Sequence, residues 1–184
     1  MRKNLGNKNY FLPLPVTIIA TYDENGKPNA MNAAWAGIYD YEQITVSLAV
    51  HKTTDNFMKT GALTVAFGTV DTMEISDYFG IVSGNDEDKI LKSGVHITKS
   101  EYVDAPIIEE FPLVLECTVD SFENGTLIAK VVNCSVDEKY LKEDGSIDVD
   151  AMKIITFDTI NATYRVLGNV VGDAFKVGKP LINK

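Results

Sequence analysis

The chain has 184 residues, 45% hydrophobic and 23% charged, the balance of a globular protein with a sizeable core and not of a disordered chain. Seventeen Lys and Arg against 26 Asp and Glu give a formal charge of −9, which excludes general nucleic-acid binding, an affinity built on cationic neutralisation of phosphates. No apolar run approaches the ~20 residues of a membrane-spanning helix, and the basic start at Met1, Arg2 and Lys3 has no apolar stretch behind it, so no signal peptide, no membrane and a cytoplasmic location are expected.

In chain order, Val16 to Tyr22 is a β-branched and aromatic run that stops at Asp23-Glu24-Asn25-Gly26, a cluster suited to a hairpin loop. Asn29 to Ala36 is expected as the returning strand, and Ile44 to Val50 and Ala62 to Thr69 as two further buried strands. Thr54 is the expected cap of a helix running through Asp55 to Lys59, with Gly61 as its stop. Asp71 is the expected cap of a second helix, Thr72 to Phe79, with Glu74 at the capping-box position. A third helix is expected over Asp86 to Lys92, closed by Ser93-Gly94, and then an extended Val95 to Val103. Leu113 to Phe122 and Thr126 to Val136 flank Glu123-Asn124-Gly125, and Asn-Gly is the strongest short hairpin signal. Ile154 to Phe157 and Ala162 to Leu167 read as short strands. Strands interrupted by brief helices, with no linker or repeat, predict one domain over 1–184. Its fold class is mainly β, a closed or nearly closed antiparallel barrel with short helical insertions.

Several chemistries have no motif here. There is no GxGxxG, no P-loop and no Gly-x-Ser-x-Gly. His51 and His96 lie far apart, and nothing points to a zinc site or a Ser-His-Asp triad. His96 sits in an alternating run and is expected to be an ordinary strand residue. Cys117 and Cys134 are too few for a disulfide framework. Across the hairpin they are at best diagonal neighbours, ~7–8 Å apart, too far for an unstrained bridge. Free buried thiols are expected. Redox chemistry on this inventory needs a cofactor.

Two segments stand out. His51-Lys52-Thr53-Thr54-Asp55-Asn56 follows an apolar strand and opens a helix. Free backbone N–H groups, the helix dipole, two hydroxyls and the Lys52 ammonium together suit a phosphate. The alternative is plain capping by Thr54 with Lys52 in solvent, and Asp55 places a carboxylate in the same turn. In Met31-Asn32-Ala33-Ala34-Trp35-Ala36-Gly37, small residues flank the only Trp and would let a flat ring approach the backbone. The alternative there is a core strand with one packed Trp.

These residues, taken with Pro13-Leu14-Pro15-Val16-Thr17, Pro28-Asn29-Ala30, Ser47-Leu48 and Gly61-Ala62-Leu63-Thr64-Val65, resemble the first half of the flavin reductase-like family. In the second half, Gly84-Asn85-Asp86-Glu87-Asp88-Lys89, Ala105-Pro106-Ile107-Ile108-Glu109, Leu115-Glu116-Cys117 and the terminal Leu167-Gly168, Gly172, Ala174-Phe175 and Gly178-Lys179 are similar to its flavoredoxin-like branch. The resemblance implies a Greek-key split β-barrel that binds FMN, assembled as a homodimer with two flavin sites near the subunit interface. By position it implies that Asn32, Ala33, Ala34 and Trp35 line the isoalloxazine. Ser47, Leu48 and Ala49 would pass beside it toward the ribityl chain, and His51, Lys52, Thr53 and Thr54 would hold the phosphate. His51-Lys52 stands where many relatives have Arg, and Lys lacks the bidentate fork of Arg. Phe175, with Lys176 and Lys179, would pack near the flavin or form a simple docking tail.

The activity implied is hydride transfer from NADH or NADPH to the flavin and onward passage of electrons, with no protein acid or base required. A flavoredoxin-type carrier that exchanges electrons with a protein partner is the second reading, and an acidic surface suits a basic partner. A barrel binding a flavin or haem for storage or sensing is the third, although no haem motif places either histidine.

Overall fold

Asn124 and Gly125 take left-handed backbone angles, φ 50° and 76°, the geometry of a tight hairpin turn. They join the two longest strands, β9 (Leu113–Glu123) and β10 (Thr126–Val136), around which the sheet is assembled. In a computed structural model describing residues 1–182, the other strands are β1 (Leu14–Pro15), β2 (Thr17–Tyr22), β3 (Pro28–Ala33), β4 (Ala36–Asp40), β5 (Gln43–Ser47), β6 (Ala62–Phe67), β7 (Ile97–Lys99), β8 (Pro106–Ile108), β11 (Ile155–Asp158) and β12 (Thr163–Val166). The helices are α1 (Lys52–Thr60), α2 (Met73–Ile81), α3 (Lys89–Ser93) and α4 (Val149–Met152).

Seven strands form one antiparallel sheet in the order β3-β2-β6-β9-β10-β5-β4, with β1-β11-β12 and β7-β8 as smaller sheets. Strands β3 and β4 are the two edges of the large sheet, yet only Ala34 and Trp35 connect them. Three Cα–Cα steps span at most about 10–11 Å. The sheet must therefore curl until its edges nearly meet, which makes it a split barrel with its seam at Ala34-Trp35.

That seam corrects the expectation of one continuous strand over 29–36. The chain leaves the β2 edge after Ala33 and bends, and Ala36 pairs with Val46 of β5 on the far edge. The 44–50 and 62–69 strands stop early, at Ser47 and Phe67, and only Ile97–Lys99 of the extended 95–103 run pairs. The other strands fall close to where the hydrophobic pattern places them.

Two packed layers follow from the period-two alternation of strand side chains. Ile19, Met31, Val46, Phe57, Leu63, Val65, Cys117 and Leu127 fill the barrel interior, with α1 closing it through Phe57. Phe57 meets Phe122 edge-on, ring centroids 5.3 Å apart. Ile18, Ala20, Ala30, Phe79, Ile90, Phe111 and Val114 form a second core on the outer face, under α2 and α3. Strand β2 is thus covered on both sides, which explains its unbroken apolar run.

All three expected helices exist with shifted starts. Helix α1 begins at Lys52 with His51 as its N-cap residue. The Thr54 hydroxyl, at the third helical position, accepts from the His51 N–H at 2.8 Å and donates to the His51 carbonyl at 2.6 Å. Gly61 ends the helix at φ 71°, as expected. Helix α2 starts after Thr72, not Asp71; the Thr72 hydroxyl makes no bond into the helix and instead accepts from the Thr69 N–H of the preceding turn at 2.9 Å. Helix α3 starts after Asp88, whose carboxylate accepts from the Leu91 N–H at 3.1 Å.

Candidate functional site

The α1 N-terminus opens onto a cleft of about 200 Å³ lined by Asn29, Asn32, His51, Lys52, Thr53 and Lys89, and closed by Phe79, Gly80 and the 82–84 loop. The first-turn N–H groups of a helix have no partner within it, and here they share the cleft with two ammonium groups. The Lys52 Nζ donates to the Gly84 carbonyl at 3.2 Å and the Lys89 Nζ to the Phe79 carbonyl at 3.1 Å. Lys89 is only 3% exposed, and burial pushes its ammonium down to about 8, with Lys52 adding to the shift. Concentrated positive charge in a chain of net charge −9 suits an anion, and the donor set fits a phosphate.

A second cleft, about 320 Å³, shares Asn32 and Gly80 with the first and continues past Val16, Ala34, Phe157 and Tyr164. Phe157 and Tyr164 lie side by side on β11 and β12, ring centroids 6.0 Å apart. The Tyr164 hydroxyl donates to Asp77 at 2.7 Å. Burial, with Asp77 adding, pushes its ionisation up to about 12, so it stays a phenol at ordinary pH. Asn32 is fixed by donation from Nδ2 to the Ser76 carbonyl at 2.8 Å, which leaves its own oxygen as an acceptor. A cationic pole joined to an apolar, aromatic-walled groove fits a phosphorylated planar ring system.

The structure brings together Asn32, His51, Lys52 and Thr53 in the first cleft, and Asn32 and Ala34 in the second. Ala33 points into the barrel core, so only its backbone faces outward. Trp35 stands at the bend, 62% exposed, which overturns the packed-core alternative. Ser47 and Ala49 are exposed, Leu48 is buried, and none of the three lines either cleft. Thr54 lies outside the cleft with its hydroxyl committed to His51, and Thr53 accepts a 2.7 Å bond from Asn29. Phe175 is 96% exposed and lines neither cleft. His96 is exposed and pairs with Glu110 at 2.8 Å, which raises its pKa. Cys117 is buried, but Cys134, opposite Leu115 beyond a register shift between Val131 and Asn133, is exposed.

Sequence reasoning missed Asn29, Gly84 and Lys89 as site residues. Lys89 carried a readable signal, since a cation in the first turn of a helix opposes the dipole and needs another reason to be there. No group of three or more His, Cys, Asp or Glu able to hold a metal occurs among the described residues. Nor is any described helix long and apolar enough to cross a membrane.

Comparison with known proteins places this geometry. The flavin reductase like domain matches residues 9–150. The flavoredoxin of Desulfovibrio vulgaris (Miyazaki F) superposes with a TM-score of 0.93 at 33% identity, over 97% of this chain and 100% of that one. A flavoredoxin from Methanosarcina acetivorans gives 0.89 at 27% identity, over 98% and 100%. An uncharacterized Escherichia coli (strain K12) protein, YddH, is 28% identical over 158 residues, 80% of this chain and 83% of that one. Fold and site define a flavin-binding redox protein built on a split barrel. The chain belongs to the flavin reductase-like family, on its flavoredoxin branch.

Proposed function

We propose that this chain binds FMN along the two joined clefts and passes electrons from NADH or NADPH through it to an acceptor. The observation that carries the reading is the adjacency of a cationic cleft at the α1 N-terminus and an aromatic-walled groove, which share Asn32 and Gly80 in their walls. Lys52 and the first-turn N–H groups of α1 would hold the phosphate. Asn32, Ala34 and the backbone of Ala33 and Trp35 would lie along the ring, with Phe157 and Tyr164 as a wall that limits water. Ser47, Leu48 and Ala49 would approach from the β5 end. Bound FMN supplies the redox chemistry, and the residues of the chain bind, orient and desolvate it.

We further propose a cytoplasmic homodimer. Edge strand β4 and the turn after it expose Ile38, Tyr39 and Tyr41 beside a shallow recess of about 590 Å³, an uncovered edge of the kind that pairing or burial protects. The C-terminal segment also exposes Val171, Phe175 and Ile182, apolar groups with little cover from their own chain. Sedimentation is expected to give a dimer, and a stable flavin-loaded monomer would remove the interface-site reading.

A second reading, electron carriage between proteins without nicotinamide oxidation, is favoured by the likeness to two flavoredoxins and by the net charge of −9. The test begins with the visible spectrum of the purified protein and mass identification of any released chromophore. Anaerobic bleaching by NADH or NADPH supports the reductase, and a yellow protein inert to both supports the carrier. A colourless protein that ignores added FMN refutes both.

A further inference from the structure

The two clefts that share Asn32 and Gly80 carry opposite charge. Lys52 and Lys89 line the first, whereas the only charged side chain among the described residues lining the second is Asp77. Asp77 stands on the exposed face of α2, and no ion pair among the described residues uses it. Its carboxylate accepts one hydrogen bond, from the Tyr164 hydroxyl at 2.7 Å. With its ionisation pushed up to about 12, Tyr164 stays a neutral donor, so it fixes the carboxylate without cancelling its charge. Arg165, the next residue, is turned away: strand alternation puts it on the opposite face of β12, where its Nε meets Asp158 at 2.8 Å. Around Asp77 the groove is flat-walled or apolar, with Phe157 and Tyr164 from the β11–β12 hairpin, Ile81 from α2, and Val16 between β1 and β2. Aromatic walls favour a planar ring, and a carboxylate with no cation to offset it attracts positive charge and repels negative.

We propose that Asp77 is a specificity-determining residue, positioned by Tyr164, that makes the groove beside the flavin admit neutral or cationic planar rings and turn away anionic ones. This rests on the flavin reading above: with the isoalloxazine along Asn32 and Ala34, the ring of an electron donor or acceptor enters between Asp77, Ile81, Phe157 and Tyr164. An aromatic carboxylate arriving there gives up water beside a like charge. A neutral ring carrying an N–H can donate to the Asp77 oxygen that Tyr164 leaves free. The cation gains what the anion loses, so even a partly screened carboxylate separates the two by about tenfold or more.

The test uses oxidised, FMN-loaded protein and three probes that share one ring and differ in charge: benzamidine as cation, benzamide as neutral ring and benzoate as anion. Binding is read from the perturbation of the flavin absorbance. Wild type is expected to bind benzamidine about tenfold or more tighter than benzoate, with benzamide between them, and the contrast should shrink with added salt. Asp77→Asn should bring benzamidine and benzoate to similar affinity, and Asp77→Glu should restore part of the contrast. Tyr164→Phe should weaken it by releasing the carboxylate, and a contrast untouched by that change overturns the positioning role. Melting of the flavin-free proteins separates a structural effect, because lost stability alone lowers all three affinities alike. Equal affinities in wild type, no binding of any probe, or a contrast that survives Asp77→Asn overturns the proposal while leaving the flavin reading intact. A wild type that takes up no FMN overturns both.

Discussion

Gly84 lets the 82–84 loop lie against β3, and a single methyl group there tests how tightly the site is built. A Cβ on Gly84 would fall 2.1 Å from the Asn29 Oδ1 and 3.3 Å from the Lys52 Cδ. Asn29 is 4% exposed and donates to the Thr53 hydroxyl at 2.7 Å, so its carboxamide is not free to swing into solvent. Gly84→Ala must displace that carboxamide or lift the loop. Losing a buried hydrogen bond with its partners left unmet costs about 1–3 kcal/mol, and overpacking costs about 1–3 kcal/mol. The two overlap, giving roughly 2–4 kcal/mol, or about 4–16 °C in Tm for a domain of this size. Thermal melting of Gly84→Ala, Asn29→Ala and the double variant forms a cycle. If the clash is with Asn29, most of the Gly84→Ala cost disappears in the Asn29→Ala background. A Gly84→Ala protein melting within about 1 °C of wild type, or a cost undiminished without Asn29, refutes the reasoning.

Lys52→Ala should weaken FMN binding by about 1.5–3 kcal/mol, read by fluorescence titration, and an unchanged Kd would put the phosphate elsewhere. Thr53 is best left intact in that experiment, because its hydroxyl holds Asn29. Asp158 is held far below the usual carboxylate range by Asn161 and Arg165, at 2.8 Å each, and by the Ile160 and Asn161 N–H groups. A depressed folded-state value gives stability that is full above the ordinary aspartate range and lost as the pH falls through the folded value. The Tm deficit of Asp158→Asn should therefore be largest at neutral pH and shrink in acid, whereas a deficit constant with pH would make the residue a packing element only. Burial, with Glu116 adding, pushes the Cys117 thiol up to about 12, while Cys134 is exposed. A thiol reagent should modify one cysteine in the native protein and two in denaturant, and fast modification of both in the native state would contradict this burial.

Local chemistry was legible in the sequence where the structure depends on local chemistry. The Asn124-Gly125 turn, the Gly61 stop and the opening of a helix within residues 51–56 needed only a few neighbouring residues. Cap identity was less legible. Thr54 has the preferred capping side chain, but its hydroxyl serves the turn from the third position, and His51 holds the cap. The Ala34-Trp35 seam was not legible, since nothing local says that β4 pairs on the opposite edge from β3. Misreading that break also allowed Trp35 as a core residue. Lys89 and Gly84 enter the site from segments distant from α1, so their roles exist only after folding.

The strand order has a consequence for how the chain reaches its native state. Up to Phe67 the protein lays down two ribbons, β3-β2-β6 and β5-β4, that share no ladder hydrogen bonds with each other. They become one sheet only when β9 docks on β6 and β10 on β5, pairing Ala62 with Thr118 and Ser47 with Thr126. Such distant pairings are slow to close, and the β9–β10 hairpin is the local unit that can form first and serve as their template. During synthesis both ribbons emerge before Val136 has been added, with the inward edges of β6 and β5 still open. Strands β5 and β6 are thus made early and are among the last to be secured.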